Sequence, residues 1–366
     1  MNIGIPKERR PSEYRVGLSP TGVKLLTEAG HTCYVESKAG LGAGFSDDNY
    51  LYAGAHIVYS GEEAYGRADL VLKAVRPLTE ELSWLVPGQV LMGFLHLPAA
   101  KPDKVEALLE KRISAIAYEQ IQRPDGSLPV LKPLSQIGGQ MAAQIVARLL
   151  QNNGGGNGVL LGGVPGVPPA EVVIIGAGVV GENAARAFLG KGAHVTILDR
   201  DLNRLQELAR LLPSSGVVTL VSHPFNIERA CGYADAVIGA VMVPGERAPI
   251  VLPRTVVQKM RPGAVLLDLS IDEGGCAETS RPTSHENPTY MAEGVVHCCI
   301  PNLPGVVART ATHAFLNAAW PYIQLITSQG IESALATDPD LEQGLVTYQG
   351  QLRHLNPVYY PSNNGD

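Results

Sequence analysis

The run Val172-Val-Ile-Ile-Gly176-Ala-Gly178-Val179-Val180-Gly181 carries the plainest chemical signal in this 366-residue chain. Three glycines spaced G-x-G-x-x-G are weak evidence by themselves. Here they follow a β-branched strand and open a helix of small residues, Glu182-Asn-Ala-Ala-Arg186. A second apolar run, Ala193 to Leu198, then ends in Asp199, 18 positions after Gly181, close to the roughly 20 residues of a dinucleotide βαβ unit. In such a unit Gly176 permits the tight turn and Gly178 lets the backbone approach a pyrophosphate. Gly181 allows the helix to pack closely, and the helix N-terminus meets the phosphate charge. Asp199 would accept from an adenosine ribose diol and repel a 2′-phosphate, which favours NAD; Arg200 next to it is a cation that suits a 2′-phosphate. The plain alternative is a glycine-rich turn without a ligand.

The elements around this motif define an alternating α/β chain. Upstream, Gly22–Gly30 has helical spacing and ends in glycine, and His31–Glu36 alternates like a strand. Strands are expected near Asp69–Ala74, Val90–Phe94 and Ser114–Ala117, with helices at Lys104–Lys111 and around Glu62–Gly66. Ser135 reads as the N-cap of a long helix to Gln151, followed by the Gly/Asn loop Asn152–Gly158. A second alternating region runs from about Glu171 to Cys299, and Ala308–Gly330 is a long helical pattern. The segment from Asn356 to Asp366 looks loosely ordered. The expected fold is α/β, with two Rossmann-like domains separated by an interdomain cleft. Residues 1–134 plus 308–366 would form one domain. Residues 135–307 would form the nucleotide domain, entered by the long helix.

Composition narrows the function. Hydrophobic residues make up 45% and charged residues 17%, enough apolar content for a substantial core. Gly 40 and Pro 27 suit many strand-to-helix turns. The net charge of -6, with no Lys/Arg cluster, argues against nucleic acid. Aromatics at 5% offer no stacking platform. The five cysteines lack a C-x-x-C pair, and the nine histidines are scattered, so neither a disulfide framework nor a metal site is expected. Cys298-Cys299 reads as buried strand. No apolar h-region opens the chain, and no unbroken stretch of 18 apolar residues occurs, so a cytoplasmic protein that does not enter membranes is expected.

Over about residues 1 to 350 the chain resembles the alanine dehydrogenase family, relatives of the NAD(H)-binding component of proton-translocating transhydrogenase. The resemblance rests on Gly4-Ile-Pro-Lys-Glu8, Arg15-Val-Gly-Leu-Ser-Pro20, Ala29-Gly-His31, Gly40-Leu-Gly-Ala-Gly-Phe45, Asp69-Leu-Val-Leu-Lys73, Leu95-His96-Leu97 and Ala117-Tyr-Glu119. In the second half it rests on Gly162 to Pro169, Ile238-Gly-Ala-Val241, Asp268 to Cys276, Ser280-Arg-Pro-Thr283 and Asn302-Leu-Pro-Gly305. It implies NAD-linked interconversion of L-alanine with pyruvate and ammonia, and a homo-hexamer.

The residue types agree with that chemistry. A 2-oxo acid needs a cation for its carboxylate, and Arg15 matches the family's carboxylate-binding arginine, with a fork suited to bidentate contact. Reductive amination needs a proton shuttle near neutral pH; His96 follows a strand and matches the catalytic histidine. Asp272 follows the strand Ala264–Leu269 and matches the catalytic aspartate, able to polarise water or hold an iminium cation. A surface arginine, a structural histidine and a capping aspartate are the plain alternatives. The resemblance also places Glu119 at the substrate, and Ser135, Ala240, Val241 and Asn302 at the cofactor.

The chain departs from the family's pattern near Lys73. The family has a second lysine two positions after it, at the substrate; here that position is Val75. Losing one of two cations around a small carboxylate should cost roughly 2–4 kcal/mol of binding. Arg76 and Lys132 are the candidate replacements: Arg76 only if the backbone twists before Pro77, Lys132 from a loop that otherwise reads as solvated. Leu134 and Leu303 stand where the family commonly has methionine, and Glu273 where it has glutamine. Two other functions therefore stand beside an alanine dehydrogenase: an oxidoreductase of the same fold acting on another amino acid or imine, and a non-catalytic NAD(H)-binding component.

Overall fold

The structure, a computed structural model, describes residues 1–212, 216–243 and 246–355; the segment from Asn356, expected to be loosely ordered, lies outside them. The chain divides into two compact units, Met1–Leu134 with Pro304–Asp366, and Ser135–Leu303.

The first unit is built on six parallel strands: β1 (Asn2–Ile5), β2 (Thr32–Glu36), β3 (His56–Val58), β4 (Leu70–Val75), β5 (Val90–Phe94) and β6 (Ser114–Ala117). Every residue of β4, β5 and β6 is buried, which is why these segments read as continuous apolar runs. The strand order is β6-β5-β4-β1-β2-β3, so the chain winds first one way from β1 and then the other. In open sheets of this kind, ligands bind beyond the carboxyl ends of the strands where the winding reverses. Here that is the edge beyond β1 and β4. The helix Pro20–Glu28 starts at a Ser19 cap that accepts from the Gly22 amide, with proline in its first turn.

The helix Lys132–Leu149 spans the boundary between the units. It begins three residues before the expected start, so Ser135 is not its cap but sits in its first turn. Pro133 explains the shift: a first-turn proline forfeits no helical hydrogen bond, so Lys132-Pro133 continues the helix backward.

The second unit holds β7 (Glu171–Ile175), β8 (His194–Asp199), β9 (Val217–Val221), β10 (Ala236–Gly239), β11 (Val265–Asp268), β12 (Thr289–Ala292) and β13 (Val295–Cys298). Their order is β12-β13-β11-β10-β7-β8-β9, all parallel except the edge strand β12. The winding reverses between β7 and β10. One apolar layer, including Val172, Ile174, Ala184, Phe188 and Ile238, packs the helix Val179–Leu189 on this sheet. After it, the helix Ala308–Gln329 returns to the first unit, whose sheet is completed by β14 (Leu345–Tyr348), antiparallel to β6, and β15 (Gln351–Leu352). Among the described residues no helix is long and apolar enough to cross a membrane.

Candidate active site

In the second unit the glycine motif lies at the β7/β10 reversal. Gly176 has φ +108, and a Cβ there would meet the Ala240 carbonyl oxygen at 2.2 Å. A Cβ on Gly181 would meet the Gly176 oxygen at 1.9 Å, so Gly181 lets the helix approach the turn while Gly176 lets the turn approach the β10 exit. At Gly178 a Cβ would meet only Arg204 Nη1, at 3.7 Å, which leaves room for a ligand to reach the backbone. Gly178 caps the helix Val179–Leu189 without a side-chain hydrogen bond, so Val179 and Val180 open a helix end of the kind that receives phosphate.

Asp199, at the end of β8, accepts from the Ala177 amide at 2.6 Å through Oδ2 and from the Asp201 amide at 2.8 Å through Oδ1. A carboxylate offers about four lone-pair positions, so two remain for a ribose diol. Arg200 is exposed. Ser135 lies one turn before Gly139, whose Cβ would strike the Val180 carbonyl oxygen at 2.5 Å. This close helix crossing brings Ser135 to the face that meets the start of the Val179 helix. The residues present therefore fit a dinucleotide.

Ala240 and Val241 follow β10 on the same edge. The Val241 amide donates to Ser270 Oγ at 3.0 Å, joining the β10 exit to that of β11. Asp272 sits in the short turn Ile271–Glu273 beyond β11, and both its oxygens accept from the Asn302 amide, at 2.9 and 3.0 Å. Asn302 is held at φ 54, a left-handed conformation that asparagine tolerates. Beneath this turn, Asp268 is buried and accepts from the Ser270, Cys276 and Ala277 amides and from Ser280 Oγ at 2.6 Å. Asp272, Ala240, Val241 and Asn302 are thus gathered at the carboxyl ends of β10, β11 and β13.

In the first unit, Arg15 is fully buried. A Cβ on Gly17 would meet the Leu72 carbonyl oxygen at 2.0 Å, so the Arg15–Leu18 segment lies flat on β4. The guanidinium meets Glu13 in a bidentate contact, Nε–Oε1 2.8 Å and Nη2–Oε2 2.7 Å, and its Cζ lies 5.7 Å from the Phe94 ring centroid. The fork expected for a substrate carboxylate therefore already holds a protein carboxylate through Nε and Nη2.

His96 leaves β5 at φ 42, ψ 48, its ring stacked 6.4 Å from that of Phe94. Glu119 accepts from the Leu95 and His96 amides, at 3.1 and 2.6 Å. Arg76 donates through Nη1 to the Leu95 and His96 carbonyl oxygens, at 2.7 and 2.6 Å. The ladder between β4 and β5 is irregular between Leu72 and Val75, and this local twist turns Arg76 toward the β5 exit. Arg76 and Glu119, two of the four residues expected at the substrate, thus meet the His96 backbone. Lys132 is exposed at the first position of its helix.

Sequence reasoning passed over Glu8, Glu13, Glu81, Arg204 and Asp268. Lys73 was the available signal for two of them: a lysine in a wholly buried strand needs counter-charges. It finds Glu8 Oε2 at 2.7 Å and Glu81 Oε1 at 2.6 Å. Burial alone would lower its pKa, but the two carboxylates hold it above the usual lysine range. Glu8 Oε1 also accepts from the Ala74 amide at 2.6 Å, fixing the end of β4 beside Val75. Burial raises the pKa of Glu8 from its ordinary value even with Lys73 beside it. Among the described residues, no group of His, Cys, Asp and Glu is placed to hold a metal ion.

Comparison with known proteins agrees with both units. The profile described as "Alanine dehydrogenase/PNT, N-terminal domain" matches residues 4–138, and "Alanine dehydrogenase/PNT, C-terminal domain" matches residues 142–355. An alanine dehydrogenase of Methanococcus maripaludis is 45% identical over 355 residues, 97% of this chain and 95% of the relative. A solved L-alanine dehydrogenase superposes with a TM-score of 0.90 at 47% identity, covering 98% of each chain. A transhydrogenase from Sinorhizobium meliloti shares the fold, with a TM-score of 0.79 at 23% identity over 96% of this chain and 100% of the other. The chain belongs to the alanine dehydrogenase/PNT family.

Proposed function

We propose that this protein is an NAD-dependent amino-acid dehydrogenase that interconverts L-alanine, or another small L-amino acid, with its 2-oxo acid and ammonia. What supports the reading is that the chain carries both halves of this chemistry: an Asp199-terminated glycine cradle in one unit, and Arg15 and His96 in the other. Written for alanine, L-alanine, NAD+ and water give pyruvate, ammonium, NADH and a proton.

NAD, when bound, supplies the hydride acceptor at its nicotinamide ring. Gly176, Gly178 and Gly181 make room for its pyrophosphate, with Val179, Val180 and Ser135 around the helix end, and Asp199 takes the ribose diol. Arg204 approaches the same turn. Ala240, Val241 and Asn302 line the exits of β10 and β13. Arg15 binds the substrate carboxylate; Glu13 holds its guanidinium plane fixed and limits its net charge, so the geometry of the fork counts for more than its charge. His96 accepts a proton from the water that attacks the iminium carbon and returns it to the departing amine, imidazole being the side chain that ordinarily exchanges protons near neutral pH. Asp272 stabilises the cationic iminium and the carbinolamine that follows. The same reading takes the protein to be cytoplasmic and a homo-hexamer, the assembly that the resemblance to alanine dehydrogenases implies.

Val75 favours one variation on this reading. It is buried and pairs with Phe94 in the sheet, so the β4 exit presents an apolar wall where a second cation would otherwise contact the acid. A 2-oxo acid with a longer apolar side chain gains about 0.8 kcal/mol for each methylene it buries there. The test is NAD reduction with L-alanine and its longer homologues, scored for one 2-oxo acid and one ammonium per NADH formed. That stoichiometry supports the reading, and the ranking of side chains identifies the substrate. No NADH with any amino acid, while NAD binds, removes it in favour of a non-catalytic NAD(H)-binding role.

A further inference from the structure

We infer that Arg76 and Glu119 form a two-sided backbone clamp that holds His96 in its working position, and that neither is a substrate ligand. The inference rests on the assignment of proton transfer to His96. A histidine at φ 42, ψ 48 is in the left-handed region, which is costly for a residue with a Cβ and persists only where its surroundings over-determine it. The surroundings do so here with charges of opposite sign. The Glu119 carboxylate, itself buried, accepts from two successive amides, those of Leu95 and His96. Arg76 takes three successive carbonyl oxygens: Phe94 through its own backbone amide at 3.0 Å, and Leu95 and His96 through Nη1.

The anion thus sits on the N–H side and the cation on the C=O side of the same two residues. The four hydrogen bonds made by the two side chains are charge-assisted, a kind stronger than neutral ones. Glu119 comes from the exit of β6 and Arg76 from the exit of β4, so the β5 exit between them is gripped from both neighbouring strands. The Phe94 ring, stacked on the imidazole, completes the support. In this chain, then, the cation next to Val75 stabilises the placement of the proton-transfer group and does not replace the missing lysine.

The test uses the full chain and the variants Arg76→Met, Arg76→Lys and Glu119→Gln, each also made with His96→Ala. In Arg76→Met, kcat should fall about 10- to 100-fold with KM for the 2-oxo acid changing less than about threefold, because a displaced catalytic group slows the chemistry and leaves binding intact. Arg76→Lys should recover part of that loss, since lysine reaches one carbonyl without the fork. In the His96→Ala background, Arg76→Met should change kcat less than about twofold, since an effect that acts through His96 vanishes with it. Independently of turnover, selective 15N-histidine labelling should show the His96 amide exchanging at least about tenfold faster in Glu119→Gln and Arg76→Met. Thermal melting checks that each variant is folded, and Arg76→Lys serves if Arg76→Met is not.

A rise in KM with kcat kept would make Arg76 a substrate ligand and overturn the clamp. An equal loss of kcat with and without His96, or unchanged amide exchange, would overturn it as well. If the wild-type protein turns over no amino acid but the variants still speed His96 exchange, the clamp stands and the dehydrogenase reading is what fails.

Discussion

The Asp199 carboxylate reaches back from the end of β8 to accept from the Ala177 amide at 2.6 Å, so the residue proposed to select the ribose also shapes the turn proposed to receive the pyrophosphate. Removing it acts on both. Asp199→Ala should weaken NADH binding roughly 10- to 100-fold, the scale of losing hydrogen bonds to a charged group, and should narrow the preference for NADH over NADPH. Fluorescence titration with the two nucleotides measures this. Affinity unchanged within about threefold would place the ribose elsewhere.

Asp268 organises the loop that carries Asp272. It accepts from three buried amides and from the half-buried Ser280 Oγ. Asp268→Ala strands those donors and should destabilise the protein by about 2–5 kcal/mol. Urea unfolding of the variant checks it, and a loss below about 1 kcal/mol would mean that the loop is held by other contacts.

These two carboxylates show what the sequence makes legible. Asp199 was readable because a glycine motif, a strand, a helix and an acid follow one another at fixed spacing. The chemistry is local, so the pattern is too. The role of Asp268 has no such local pattern, because its partners lie up to 12 residues on and meet it only through a loop. Arg76 and Glu119 lie 43 positions apart, and nothing in their spacing says that both grip His96; only the strand order β6-β5-β4 does. Glu13 escaped because two residues from an arginine is ordinary spacing, and only burial turns it into a bidentate partner. The start of the long helix was misplaced for a local reason, since Ser135 is a good cap in principle but Pro133 lets the helix begin earlier.

Tyr118 offers a stability test of the opposite sign. Its hydroxyl is buried without a hydrogen-bond partner in the described structure, while its ring packs against Phe94 and Phe315 at 5.4 and 6.1 Å. Tyr118→Phe keeps the packing and removes the unmatched donor. It should be neutral or stabilising by up to about 1 kcal/mol, whereas Tyr118→Ala should cost about 3–5 kcal/mol. A melting temperature clearly lowered by Tyr118→Phe would show that the hydroxyl has a partner after all.

His297 sets a limit on the acid side. Its ring is buried, with Nδ1 donating to the Val295 carbonyl oxygen at 3.0 Å and Nε2 accepting from Thr279 Oγ1 at 2.7 Å, the pattern of a neutral imidazole. Burial lowers its pKa below the ordinary 6.5. A lowered pKa means the unfolded chain binds the proton more readily. The stabilisation is therefore present above pH 6.5 and is lost as the pH falls toward the depressed value. Urea melts between about pH 7 and 5 should show stability falling, with a shallower fall in His297→Phe. Identical slopes would exclude His297 as the source.

The most direct test of the account is NADH oxidation at pH about 8 with ammonium and a panel of 2-oxo acids, pyruvate included, for the wild-type protein and His96→Ala. The account predicts steady turnover of at least one 2-oxo acid, reduced about 10²- to 10⁴-fold in His96→Ala while NADH still binds. Turnover that survives the substitution, or none on any acid despite tight NADH binding, would contradict it.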